Sequence, residues 1–124
     1  MDQGLHKSEK LKSRKLIEQL FSRGKTLKKY PILLVYLEAE TTQIKPFQVA
    51  VSVSKRKFKK AVDRNRIKRQ MRESYRKHKS AFLEIKKNDK KYFAMFIFVG
   101  NEHLDSSLIE SKINTLLHRL SDTL

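Results

Sequence analysis

The chain of 124 residues contains no cysteine. That excludes a disulfide framework, a thiolate-held zinc and a cysteine nucleophile, and it fits a reducing compartment. Its three glycines are isolated, so there is no glycine-rich loop to cradle a phosphate. Long hydrophobic runs are also missing. The longest, Tyr92–Val99, has eight residues and is too short to span a bilayer. The N-terminus has no apolar stretch of signal-peptide type. His6, His78, His103 and His118 stand far apart and show no metal-ligand spacing. Acidic residues are scarce, 13 against 29 Lys and Arg, which leaves a net charge of +16. Charge of that size on one small domain repels itself unless an anionic partner offsets it. The expectation is a soluble, cytoplasmic domain with a polyanionic partner and no membrane association.

The positive charge is confined to two blocks. Residues 55–79 hold thirteen Lys and Arg with only Asp63 and Glu73 as acids, and residues 7–29 hold nine with two acids. Outside them the acids slightly outnumber the bases. Such a block pattern is the footprint of a nucleic-acid binder. A lysine-rich solvated surface is the plainer alternative.

Periodicity divides the chain into a flexible basic arm, 1–10, and a single domain, 11–124. From Ser13 the spacing of Leu16, Ile17, Leu20 and Phe21 predicts a short amphipathic helix that stops at Gly24. Pro31 opens an extended segment, Ile32–Glu38, and a polar loop runs from Ala39 to Pro46. Phe47–Ser54 alternates, with Phe47, Val49, Val51 and Val53 on one face. Ile67, Met71, Tyr75, His78, Phe82 and Ile85 mark one long helix whose opposite face carries Asn65, Arg69, Arg72 and Arg76. Tyr92–Val99 suits a strand buried on both faces. A final helix follows Asp105, with Ser107 and Glu110 at capping-box spacing. The order α-β-β-α-β-α predicts an α+β two-layer sandwich with helices on one side of a small sheet. An extra short strand around Lys25–Lys28 is possible and would extend the sheet, although the local sequence gives it little support.

Candidate chemistry concentrates on the long helix. Arginine offers phosphate a planar fork of donors, and asparagine adds an amide that can hold a base or sugar edge. Arg64, Asn65, Arg66, Lys68, Arg69 and Arg72 place such groups within about two helical turns. A merely solvated helix would intersperse glutamate for i,i+4 pairing. His78, on the apolar side, reads as a packed histidine rather than a general base. Glu38 and Glu40 read as a solvated strand end rather than a metal-binding pair. No catalytic residue and no metal ligand is expected on this chain.

The segment Val49–Arg72, VAVSVSKRKFKKAVDRNRIKRQMR, resembles the bacterial ribonuclease P protein subunit, above all in RNRIKR following the strand SVSKR. The stretch LKSRKLIEQLFSRGKTL is similar to the family's first helix and turn. The resemblance runs over roughly residues 10–120. It implies a protein cofactor of a catalytic RNA, within a holoenzyme that removes the 5′ leader of precursor tRNA by Mg²⁺-dependent hydrolysis. The RNA would carry the catalytic groups and most of the Mg²⁺, and no protein partner would be required. It further implies that Arg64, Asn65, Arg66, Lys68, Arg69, Arg72 and Arg76 contact the catalytic RNA. Ile17, Phe21, Tyr36, Ser52, Lys55 and Arg56 would line a cleft for the leader. Ile17 departs from the family's usual phenylalanine. Either Tyr36 or Val35 lines the cleft, according to strand phase, and Phe21 fits core packing as well as cleft lining. The resemblance also implies a left-handed β-α-β crossover, against the generic hand.

A ribosomal or other structured-RNA binding protein is the alternative, from which RNRIKR joined to SVSKR distinguishes this chain. A protein-only nuclease would need clustered carboxylates or histidines, which this sequence does not show. A DNA-binding helix would need a helix-turn-helix partner or a zipper, and neither is evident.

Overall fold

A computed structural model describes residues 13–39, 47–85 and 90–124. The basic arm 1–10, Glu40 with most of the polar loop, and the place of the Ile85 side chain on its helix lie outside the described residues. In chain order the elements are α1 (Arg14–Arg23), β1 (Lys25–Lys29), β2 (Ile32–Glu38), β3 (Phe47–Val53), α2 (Ala61–Ile85), β4 (Tyr92–Phe98) and α3 (Ser106–Thr123). The strands form one mixed sheet in the order β1-β2-β4-β3. β1 and β2 are an antiparallel hairpin, β2 and β4 are antiparallel, and β3 and β4 are parallel, joined by α2. This is the α+β class expected.

Strand alternation decides which helix goes where. Ile32, Leu34 and Tyr36 of β2, Phe47, Val49 and Val53 of β3, and Tyr92, Ala94, Phe96 and Phe98 of β4 face one side. There they meet Ile67, Met71, Tyr75 and Phe82 of α2 and the Ile109, Ile113, Leu116, Leu117 and Leu120 stripe of α3. Aromatic edges lock this layer: Phe47 meets the Phe82 ring edge-on at 5.0 Å, and Tyr75 lies 5.9 Å from Phe47 and 6.0 Å from Phe96. Val35, Phe93 and Met95 point the other way and pack under Leu20, with Leu16 and Ile17 beside it. The sheet is therefore not backed on one side only. α2 and α3 cover one face, and α1 covers part of the other.

β1 forms despite three lysines in KTLKK because it is an edge strand with a single neighbour. Leu27 packs against the core, while the lysines stay at the solvent-facing margin, where charge discourages pairing with another chain. α1 is capped as expected: the Ser13 hydroxyl accepts the Leu16 N–H at 3.3 Å. α3 differs. Its cap is Asp105 without a side-chain cap bond, and Ser107 lies inside the first turn, so the Ser107–Glu110 capping box does not form. The Ser106 hydroxyl instead accepts from Gln70 Nε2 at 3.0 Å, tying α3 to α2.

Gly24 is required by closeness rather than by dihedral angle. A Cβ there would sit 2.4 Å from the Leu20 carbonyl oxygen and 2.8 Å from Val35 Cγ1. Gly24→Ala must therefore lift α1 off the sheet and is expected to cost about 1–3 kcal/mol. Denaturant unfolding checks this, and an unchanged midpoint would show that α1 is not pressed against β2.

Candidate nucleic-acid interface

The apolar stripe of α2 is pulled onto the sheet, so its opposite face must meet solvent. Asn65, Arg66, Arg69 and Arg72 are exposed, with Lys68 and Arg76 half-buried beside them. Little on the molecule neutralises this face. Glu73 lies 3.7 Å from Arg76, and Asp63 is engaged by His103 at 3.3 Å. Among the described residues Arg66, Arg69 and Arg72 have no ion-pair partner.

Arg64 is set apart from its neighbours. Its Nη1 donates to the carbonyls of Phe58 and Lys59, both at 2.8 Å, so the guanidinium closes the turn that leads into α2. That turn is secured from several directions. Phe58 N–H donates to the Ser54 carbonyl at 3.1 Å, and the Phe58 ring packs 6.0 Å from Phe98 and 5.2 Å from His103. Lys57 Nζ donates to the Val99 carbonyl. Gln70 Nε2 donates to the Leu104 carbonyl at 3.2 Å. The basic helix is thus held rigidly at its N-terminal end, with Lys55 and Arg56 exposed where β3 runs into the turn.

The second region lies beside α1. Ile17 is half-buried in the small cluster on that face, and Phe21, one turn further, is 60% exposed. Phe21 is therefore not a core residue. Ser52 is in register with Ile97, whose side chain joins the α1-side cluster, so Ser52 faces the same way. Tyr36 does not. It is buried in the opposite layer with α2 and α3, where burial, then the neighbouring Tyr92, raises its phenol above the usual value. Val35 points to the α1 side instead, buried in the small cluster with Leu20. Because Ile32–Leu37 is apolar in both phases, alternation within β2 could not decide between them. β1 adds a residue that the sequence reading missed. Lys28 pairs with Leu33, Leu33 with Ile97 and Ile97 with Ser52, so one row crosses all four strands on this face.

Other polar groups serve packing. His78 Nε2 lies 3.0 Å from Glu110 Oε2, and Lys77 Nζ 3.5 Å from Oε1, joining α2 to α3. The hydrogen bond from His78, aided by Lys77, holds the Glu110 carboxyl below its ordinary value. Glu38 pairs with Lys90 at 3.4 Å. Among the described residues no three His, Asp or Glu converge in a manner that could hold a metal ion.

Residues 5–121 match the family model described as Ribonuclease P. The chain is 34% identical over 119 residues to a ribonuclease P protein component of Porphyromonas gingivalis strain W83, covering 95% of this chain and 87% of that protein. It is 34% identical over 109 residues to the same component of Streptococcus agalactiae serotype Ia, covering 88% and 91%. A Staphylococcus aureus RNase P protein superposes with a TM-score of 0.73 over 90% of this chain and 94% of that one, at 20% identity. One from Thermotoga maritima gives 0.71 over 90% and 96%, at 22% identity. These superpositions speak for the shared fold.

The two arginines of the motif are expected to separate on mutation. Arg64→Ala removes two bonds to backbone carbonyls and should lower stability by about 1–2 kcal/mol. Arg66→Ala touches no such bond and should stay within about 0.5 kcal/mol. Chemical denaturation of both variants checks this. Equal loss in both would contradict the anchoring role of Arg64.

Proposed function

The chain belongs to the ribonuclease P protein family, and we propose that within the holoenzyme it meets RNA on two surfaces. One is the arginine face of α2, which docks on the catalytic RNA. The other is the cleft between α1 and the sheet, which holds the single-stranded 5′ leader of precursor tRNA. The family places the chain in an endoribonuclease that pairs a protein with an RNA subunit. The observation that carries the finer reading is the exposed run Asn65, Arg66, Arg69 and Arg72, unneutralised by neighbouring acids.

The chemistry follows from that surface. Arginine forks donate to two phosphate oxygens at a time, and each phosphate neutralised releases counterions to the solvent. Bringing precursor tRNA against a catalytic RNA sets two polyanions together, and a cationic helix between or beside them reduces that repulsion. Arg64 contributes by fixing the turn from which the helix starts, a positioning role. In the cleft, Phe21 offers an exposed ring for a leader base, Lys28, Lys55 and Arg56 offer charge to its phosphates, and Ser52 offers a hydroxyl. A cationic groove with a stacking ring holds single strands with modest sequence preference. Mature tRNA lacks the leader, so this cleft favours the precursor.

The Mg²⁺ required for hydrolysis belongs, on this reading, to the RNA. Among the described residues the donor set does not fit a metal site. No helix among the described residues is long and apolar enough to cross a membrane. A cytoplasmic holoenzyme is part of the same proposal.

Two measurements test the two surfaces. Replacing Arg66, Arg69 and Arg72 together with alanine should flatten the salt dependence of binding to a bacterial ribonuclease P RNA by about two to three units of log–log slope. An unchanged slope would remove α2 from the interface. Phe21→Ala should weaken holoenzyme binding to precursor tRNA by about tenfold and leave mature tRNA binding unchanged. Parallel loss for both tRNAs, with the fold intact, would contradict the leader cleft.

A further inference from the structure

Four large hydrophobic side chains are conspicuously exposed among the described residues: Phe21, Tyr30, Val62 and Leu108. Two of them, Tyr30 at 60% and Leu108 at 48%, line a single pocket of about 290 Å³. It lies between the β1–β2 turn, the segment after β4 and the start of α3, on the opposite layer of the molecule from the α1 cleft. Its apolar wall is completed by Pro31, Phe98 and Leu104. Gly100 belongs to the same wall, where a Cβ would press within 2.9 Å of Pro31 and 3.1 Å of the Phe98 ring. Asn101, Glu102 and Lys112 add a small polar set at the margin.

We propose, on the reading of α2 as an RNA-facing helix, that this pocket receives one unstacked nucleobase of bound RNA. The volume suits a single base. Tyr30 presents an exposed aromatic ring against which a base can stack, and Leu108 in the same lining offers further apolar surface. The Asn101 amide both donates and accepts, and the Glu102 carboxylate accepts from an exocyclic amino group, so an edge of the base can be read. Lys112 at the margin and Lys29 next to Tyr30 supply charge for the flanking phosphates. Recognition of RNA by an aromatic platform, a polar edge reader and nearby cations is the usual arrangement for unpaired nucleotides.

Its location favours RNA over a protein as the occupant. Phe98, in the pocket wall, packs against Phe58 of the turn that begins α2, and the neighbouring Val99 carbonyl accepts from Lys57. The Leu104 carbonyl accepts from Gln70 of α2. The pocket and the N-terminal turns of the basic helix are therefore parts of one rigid corner. RNA drawn to that corner by charge would find an aromatic recess beside it.

The test uses the intact protein alone, so its outcome does not depend on whether the chain activates a catalytic RNA. Backbone and methyl NMR signals are followed during titration with adenosine, cytidine and uridine 5′-monophosphates, and with ribose 5-phosphate as the base-free control. At least one nucleotide should shift Gly100, Asn101 and Leu108, whereas ribose 5-phosphate should not. Tyr30→Ala should weaken that binding about tenfold and Tyr30→Phe should retain it. Both changes are at an exposed ring, and Phe21→Ala serves as a control that should leave these shifts intact. Equal shifts with ribose 5-phosphate would reduce the site to an anion contact and overturn the proposal. So would the absence of shifts with every nucleotide. If the same signals move on raising protein concentration without nucleotide, the recess is a self-association face and the proposal fails.

Discussion

Everything in this fold hangs on β4 being buried from both sides. Six of its seven residues are buried, and its alternation sends Tyr92, Ala94, Phe96 and Phe98 to one layer and Phe93, Met95 and Ile97 to the other. Apolar surface on both faces can be removed from water only by placing cover on both. α2 and α3 cover the first face and α1 the second. Paired with β2 on one side and β3 on the other, β4 also supplies the hydrogen bonds that hold the sheet together at its centre.

The two surfaces proposed to meet RNA follow from that arrangement. α2 binds the sheet through Ile67, Met71, Tyr75 and Phe82, which obliges its arginines to face outward. α1 is only ten residues long and covers only part of its face. The same face carries the exposed Phe21 and, across the four strands, the row of Lys28, Leu33, Ile97 and Ser52. A net charge of +16 is costly for an isolated domain of this size and becomes useful when a polyanion is present. Arg64, Phe58, Lys57 and Gln70 anchor the start of α2 and so fix the helix that carries the arginines, which on the proposed reading lowers the ordering cost of binding RNA.

Much of this was legible in the residues because strong periodicity leaves little choice. The stripes of α2 and α3, the alternation of β3 and the continuous apolarity of β4 each specify an element and its buried face. What stayed hidden has physical causes. KTLKK shows no strand pattern, since an edge strand needs only Leu27 inside and can carry lysine elsewhere. The phase of β2 could not be read because both of its faces are apolar, so the choice between Tyr36 and Val35 stayed open until the fold put Val35 on the α1 side. α3 starts at Ser106 with Asp105 as its cap, which puts Ser107 inside the first turn, and Glu110 turns to His78 and Lys77 instead. The arginine face of α2 was visible as a pattern, but the divergence of Arg64 from its neighbours depends on carbonyls of Phe58 and Lys59 that only the folded turn brings within reach.

The most direct measurement is cleavage of leader-bearing precursor tRNA at low Mg²⁺ by the protein alone, by a bacterial ribonuclease P RNA alone, and by the two together. Cleavage at the leader junction that requires both is the predicted result, with the protein supplying RNA contacts and the RNA the chemistry. Cleavage by the protein alone, or no stimulation of the RNA by a protein that still binds it, would contradict that division of labour.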